Sequence, residues 1–200
     1  MLNNTQEDKL FVSVLADGRL HMTVPEGTEK AIKRTYETSD GKTGEKWELV
    51  YTELSGKITD VRFYDGDYGT QLQVTVTDRE EKPVVLSLST GSNYGEDMMK
   101  KLLSVDMDKP VRIVPYSFTD DNGKTKKGIT IYQDEKKVQN YFYDAEKKKN
   151  IHDYPDPVFP AGKKKLSTEE WKIYFAQCRV FLINSITKFF KLDEEKEIKF

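Results

Sequence analysis

Seven consecutive residues, Gln71-Leu72-Gln73-Val74-Thr75-Val76-Thr77, alternate polar and apolar side chains without a break. A period of two over this length predicts a β-strand with one buried face, turning Leu72, Val74 and Val76 inward and Gln71, Gln73 and Thr75 outward. Such a strand needs partners on its edges, so the chain has to build a sheet around it. Leu10–Leu15 and Arg19–Val24 are β-prone runs around Ala16-Asp17-Gly18, a hairpin signal. Residues 28–45 are polar, with a short helix expected at Glu29–Arg34 and a turn at Asp40-Gly41. From Trp47 through Phe63 the pattern predicts one long strand, bent or bulged at Ser55-Gly56. Asp65-Gly66-Asp67 turns it back into the alternating strand, and Val84–Leu88 follows as another.

The period then changes. Met98, Leu102, Leu103 and Val105 fall at helical spacing, with Ser92 or Asn93 available as cap and Pro110 ending the unit. Val111, Ile113 and Pro115 form the inner face of the next strand, with Arg112, Val114, Tyr116 and Phe118 opposed. After the turn at Asp120–Gly123, Gly128–Tyr132 is the fifth strand of this series and Val138–Tyr143 a sixth. Long strand, strand, strand, helix, strand, strand is the order of an OB-fold, a five-stranded Greek-key barrel with its helix between the third and fourth strands. The fold class expected is therefore mainly β (α+β). Its parts are an N-terminal hairpin and connecting segment at 1–45, an OB-fold-like barrel at 46–145, a Pro/Lys-rich linker at 146–166, and a C-terminal amphipathic helix with an acidic tail at 167–200. Ser167 and Glu170 have the spacing of a capping box. Trp171, Tyr174, Phe175, Cys178, Phe181, Leu182, Ser185 and Phe189 form a stripe on that helix. Ile173, Val180, Ile183, Ile186 and Phe190 widen it, so burial on more than one side is expected, against the barrel, a second subunit or both.

With 11 Tyr, 10 Phe and 2 Trp, the chain is too aromatic to be disordered, although 33% of its residues are charged. A single cysteine, Cys178, excludes an intramolecular disulfide and multi-cysteine zinc sites. His21 falls on a strand face and His152 in the linker, and both read as structural or solvated. No P-loop, dinucleotide fingerprint or nucleophile elbow is present, and the expectation is a non-enzymatic protein without a cofactor. Asp65 and Asp67, like Asp120-Asp121-Asn122-Gly123, are turn residues before they are metal ligands. The start, MLNNTQEDKL, lacks a basic segment followed by an apolar run, and the apolar stretch 171–190 is interrupted by Lys172, Arg179 and Lys188. A cytoplasmic protein with no membrane span is expected.

The formal net charge of −2 conceals an asymmetry: residues 1–99 hold 11 basic and 18 acidic side chains, whereas residues 100–149 hold 12 and 8. Local fields steer ligands, so the middle segment can serve an anionic partner. On an OB barrel that partner is a nucleic acid lying across strands two and three, between the loops joining strands one to two and four to five. The first loop has Arg62 and Tyr64 leading in and Tyr68 at its tip. The second is preceded by Tyr116 and Phe118 and carries Lys124, Lys126 and Lys127. Gln71, Gln73, Arg112 and Tyr132 lie between them. Rings for base stacking and cations for phosphates are what single-strand binding requires.

On these residues the chain resembles the phage-encoded single-stranded DNA-binding proteins. The resemblance covers residues 46–143 and is carried by GKITDVRFYDGDYGTQLQVTV at 56–76, DDNGKTKKG at 120–128 and ITIYQDEKKVQNYFY at 129–143. It implies a protein that coats and protects single-stranded DNA in replication or recombination. It also implies a C-terminal tail that recruits replication proteins and competes with DNA for the groove. Asp193, Glu194, Glu195, Glu197 and Phe200 are similar to such a tail, with Lys196 and Lys199 interrupting the acids. Single-stranded RNA, or a protein-assembly role centred on helix 167–190, are the alternatives to DNA binding.

Overall fold

The computed structural model describes residues 9–38, 41–67, 69–78, 82–162 and 165–192. The chain runs β1 (Leu10–Val14), β2 (Leu20–Val24), β3 (Ile32–Glu37), β4 (Thr43–Tyr51), β5 (Leu54–Gly66), β6 (Gly69–Thr77), β7 (Val84–Ser89) and α1 (Asn93–Leu102). It continues with β8 (Pro110–Thr119), β9 (Thr125–Gln133), β10 (Lys136–Lys137), β11 (Tyr143–Asp144), β12 (Lys149–Asn150) and α2 (Thr168–Phe189). One ten-stranded sheet, in the order β10-β9-β8-β5-β6-β7-β1-β2-β4-β3, contains every strand except the β11–β12 pair. Among the described residues only β1 and β7 pair in parallel; the other ladders are antiparallel.

The mainly β class stands, but the sheet is mixed and does not close on itself. Among the described residues no ladder joins β7 to β9; the β7 edge is occupied by β1 instead, with Leu10–Ser13 running beside Val84–Ser87. A free strand edge is a strong template, and the N-terminal hairpin fills it. The hairpin turn then reaches across the seam. Gly18 has φ +76, and a Cβ on it would stand 2.4 Å from the Ser117 nitrogen and 2.6 Å from the Tyr116 carbonyl carbon. Backbone thus packs on backbone where a side chain has no room.

Three expectations are corrected. Glu29–Arg34 is not a helix: Lys30 is left-handed at φ 65, and β3 pairs with β4 from Ile32–Glu48 to Glu37–Thr43. Cross-strand pairing outweighs the weak helical preference of a short polar run. The long strand expected from Trp47 is two strands, because β4 serves β2 and β3 whereas β5 serves β6 and β8, and the chain changes partners at Thr52-Glu53. The irregularity in β5 falls between Ile58 and Asp60, just beyond the expected bend, and the partner switches from β8 to β6 at Lys57. Val138–Tyr143 is not a sixth strand; Lys136 and Lys137 fold back onto β9 through left-handed Asp134 and Glu135, and the Val138 amide donates once more to the Ile131 carbonyl before the chain leaves the sheet.

The core is aliphatic. Leu72, Val74 and Val76 of β6 meet Leu86, Ile113, Ile129 and Ile131, and α1 seals one end with Met98, Met99 and Leu102. Ser92 caps α1 by accepting from the Gly95 amide, and Gly95 sits where a Cβ would stand 2.1 Å from the Ser89 carbonyl oxygen. The capping box of α2 forms between Ser167 and Glu170. Cys178, Leu182 and Ile186 bury one face of α2, while Ile173 and Val180 stand 60% and 58% exposed, so the expected burial on more than one side is not met within this chain. No helix among the described residues is long and apolar enough to cross a membrane.

Candidate nucleic-acid interface

The expected binding residues of the sheet that the structure describes fall into two groups. The first lies on β5 and β6. Ladder register puts Arg62 opposite Gln73 and Tyr64 opposite Gln71. Arg62 Nε donates to Gln73 Oε1 at 2.9 Å. Gln73, expected to face solvent, is 7% exposed, because both faces of β6 are covered. Tyr64 is 55% exposed, with its ring over Gly66 in the turn that follows. Tyr68 lies outside the described residues, as do Asp193, Glu194, Glu195, Glu197 and Phe200 of the tail.

The second group lies on β8 and β9. Register places Arg112 opposite Tyr132, Tyr116 opposite Gly128, and Phe118 opposite Lys126. The Arg112 guanidinium carbon is 4.3 Å from the Tyr132 ring centroid, and Nη1 is 3.3 Å from Glu53. Both the ring and the carboxylate therefore hold Arg112 in place. Tyr116 is half-buried and its hydroxyl crosses Gly128 toward Asp97; burial, and then the Asp97 charge, push its phenol up. Phe118, with its ring 5.8 Å from that of Tyr116, is 53% exposed. Lys126 Nζ lies 3.3 Å from Asp120, and the amide of Lys124 donates to the same carboxylate at 2.9 Å. The Lys124 amide, with Lys126 and the Asn122 amide, outweighs partial burial and holds Asp120 below its ordinary value. Lys127 pairs with Ser117 and projects from the opposite face to Phe118, which separates it from the aromatic group.

These groups are not one patch. Ser55, not Arg62, stands opposite Arg112, so the Arg112–Tyr132 pair is seven residues, on the order of 20 Å, down β5 from Arg62. The distal residues do converge on a rim. Tyr64, Gln71 and Ser89 are consecutive neighbours across β5, β6 and β7. Ser13 pairs with Ser87 and Val14 leads into the turn at Leu15–Arg19, which is level with Ser89. Gly18 of that turn rests on Tyr116-Ser117, two residues from Phe118. Tyr64 and Phe118 thus belong to the same rim, bridged by a hairpin that had no assigned part in the site. Below the rim, Arg62, Gln73, Ser87, Ser13 and His21 form one polar row across the sheet. The row runs into a cleft of about 490 Å³ where β1 and β2 diverge.

Beside the row lies the most deeply buried charge among the described residues. Glu48 is 1% exposed and accepts from Arg34 Nε at 2.8 Å, Arg34 Nη2 at 3.1 Å and His21 Nδ1 at 2.9 Å, with Lys46 Nζ at 2.6 Å. His21 Nε2 faces the Asp17 carboxylate at 3.1 Å. Burial works to raise the Glu48 carboxyl, but the donors prevail and hold it at about 2. His21 is thereby a structural residue of the β2–β4 pairing. Among the described residues no three His, Cys, Asp or Glu side chains converge as metal ligands. The chain matches no protein-family model, no curated protein and no solved structure.

Proposed function

We propose that the protein is a non-enzymatic single-stranded DNA-binding protein built on an opened OB-type sheet. The observation that carries the reading is the rim on which Tyr64 and Phe118 stand about half exposed, with Arg62 and Lys126 beside them. The pairing order β9-β8-β5-β6-β7, with α1 between β7 and β8, agrees with the order 5-4-1-2-3 of an OB sheet. In this reading β1 and β2 replace the closing ladder.

The mechanism needs no reacting group. Bases stack on Tyr64 and Phe118, and Arg62, Lys124 and Lys126 track the phosphates, with Arg112 on Tyr132 as an outlying cationic platform. The Asp193–Phe200 tail is the proposed recruiting element for replication or recombination proteins, acting in a cytoplasm, which is the host's if the protein is phage-encoded. A fluorescently labelled oligothymidylate is expected to bind and to weaken as salt rises, since cations on phosphates release counterions. Tyr64→Ala and Phe118→Ala each remove a stacking surface and are expected to cost about 1–3 kcal/mol of binding. No oligonucleotide binding at low salt ends the proposal, and equal competition by RNA would broaden it to single strands generally.

A second reading rests on a separate observation. Ile173 and Val180 lie seven residues apart on the outward face of α2, both exposed. Such a stripe suits an assembly module or homo-oligomer, with α2 as the contact. Sedimentation of the full chain and of Val180→Glu tests it: a monomer in both cases discards this reading.

A further inference from the structure

The nearer half of α2 touches the same rim, and this rests on the DNA-binding reading above. We infer that Trp171, Phe175 and Arg179 extend the single-strand path from the rim onto the helix, so that the binding site is longer than the sheet alone provides. The three residues are four apart and therefore share one helix face. The Arg179 guanidinium lies against Gly91, where a Cβ would meet Cζ and Nη2 at 3.3 Å and Nη1 at 3.5 Å. Gly91 is two residues beyond Ser89, the rim neighbour of Gln71 and Tyr64. The helix is joined to the rim by its cation. Arg179 is exposed and forms no ion pair with a described carboxylate, which leaves its charge available to a phosphate.

One turn back along the helix, the Phe175 ring is 50% exposed, and Trp171 stacks on it at 5.5 Å with 21° between planes. Two rings held nearly parallel on a surface offer a stacking face to a base at little cost in ordering. Their orientation is supported from below. Tyr174 packs edge-on to Trp171 at 5.5 Å, and its hydroxyl donates to the Pro155 carbonyl at 3.1 Å. The first-turn acids do not repel a strand unopposed, because Glu170 accepts from the Ser167 amide and Glu169 pairs with Lys172 at 2.8 Å. From Trp171 to Arg179 the helix rises about 12 Å, room for about three nucleotides at the 3.4 Å spacing of a DNA strand.

The test uses the full chain carrying Trp47→Phe, which leaves Trp171 as the sole indole. Oligothymidylates of increasing length are titrated while Trp171 emission and the anisotropy of an end-label are read together. Short oligomers should bind without moving Trp171, and longer ones should quench it. Phe175→Ala and Arg179→Glu should each weaken a long oligomer about ten-fold while leaving a short one within about two-fold. Arg179→Glu is a surface change and guards against a folding defect in the other. Binding at all lengths with Trp171 unmoved and both variants at parental affinity overturns this inference and leaves the DNA-binding reading intact. Failure of every oligomer to bind overturns that reading, and this inference with it.

Discussion

The strands of the N-terminal unit, β1–β4, and those of β5–β9 belong to one sheet but are held by different physics. Between β5 and β9 the best-buried side chains are Leu72, Val74, Ile113, Ile129 and Ile131, joined by the methionines of α1. Val12 and Leu20 carry this aliphatic cluster into β1 and β2, but the other face of β2 and β4 is held by Glu48, as inaccessible as those aliphatics, with Arg34, Lys46 and His21 around it. An aliphatic core gains from burial whatever the pH. A buried carboxylate is stabilising only while every donor is present and the charge is kept. The two halves should therefore fail under different insults.

The largest separation between them should come from Glu48→Gln. It leaves two cations and a histidine facing a neutral amide, and breaking a buried charge cluster of this kind costs about 3–5 kcal/mol. Urea unfolding at neutral pH measures it, and loss of β2–β4 amide protection ahead of β6–β7 would localise it. The same residue sets an acid dependence. Its folded pKa, about 2, lies below the ordinary value of 4.5, so its contribution is complete above pH 4.5 and is lost as pH falls toward 2. A difference of this size corresponds to on the order of 3 kcal/mol. Glu48→Gln should flatten the stability curve across that window, and an unchanged curve would show that the carboxylate is not held by its donors.

Ile113→Ala supplies the opposite case. It opens a cavity among Ile129, Ile131 and Leu72 and should cost about 2–5 kcal/mol. The loss should be the same at pH 7 and pH 3, because no titrating group takes part. A pH-dependent loss would mean that the halves share one electrostatic core.

How far this division is visible in the amino-acid order follows from the same contrast. Where a strand is buried on one face by apolar contacts, as in β6, β7 and β8, alternation reports it directly, and the capping residues Ser92 and Ser167 announce both helices. In the N-terminal unit Val12 and Leu20 report the core face in the same way, but the face joining β2, β4 and β3 is written in Arg34, Lys46 and Glu48, which on composition alone look like solvated surface. For that reason β3 resembles a polar loop or helix until its partner β4 is known. The site behaves likewise. Exposed Tyr64 and Phe118 follow from turn chemistry and strand parity, but their shared rim depends on Gly18 meeting Ser117, a contact between residues 99 positions apart in sequence. Gln73 is legible as a polar strand residue yet not as a buried one, because its cover comes from elsewhere in the sheet. The i, i+4, i+8 spacing of Trp171, Phe175 and Arg179 was available, but it merges with an apolar stripe and gives no sign of which side meets Gly91.

Beyond the β1–β7 ladder the two halves meet again at Gly18, and Gly18→Ala tests whether that seam matters to both. The residue is left-handed, and the added methyl would press on the Tyr116-Ser117 backbone. Strain and displacement together should cost about 1–3 kcal/mol. If the hairpin closes the rim, the variant should also weaken oligothymidylate binding beyond its effect on stability. A stability loss with parental affinity would confine the seam to a packing role.

The smallest effect is the most discriminating about charge. Lys33 and Arg34 are adjacent on β3 and point to opposite faces, each paired with an acid: Lys33 Nζ with Glu45 at 2.7 Å, and Arg34 with buried Glu48 through two nitrogens. The Lys33–Glu45 pair lies in solvent, where water screens it and two long side chains lose freedom to form it. The fork on Glu48 replaces hydration that this carboxylate has already lost. Lys33→Met should therefore leave the thermal midpoint where it was, whereas Arg34→Met should lower it by several degrees. Equal shifts would mean that Glu48 is reached by water. The N-terminal unit would then be held by ordinary strand pairing, and its contrast with the aliphatic half would disappear.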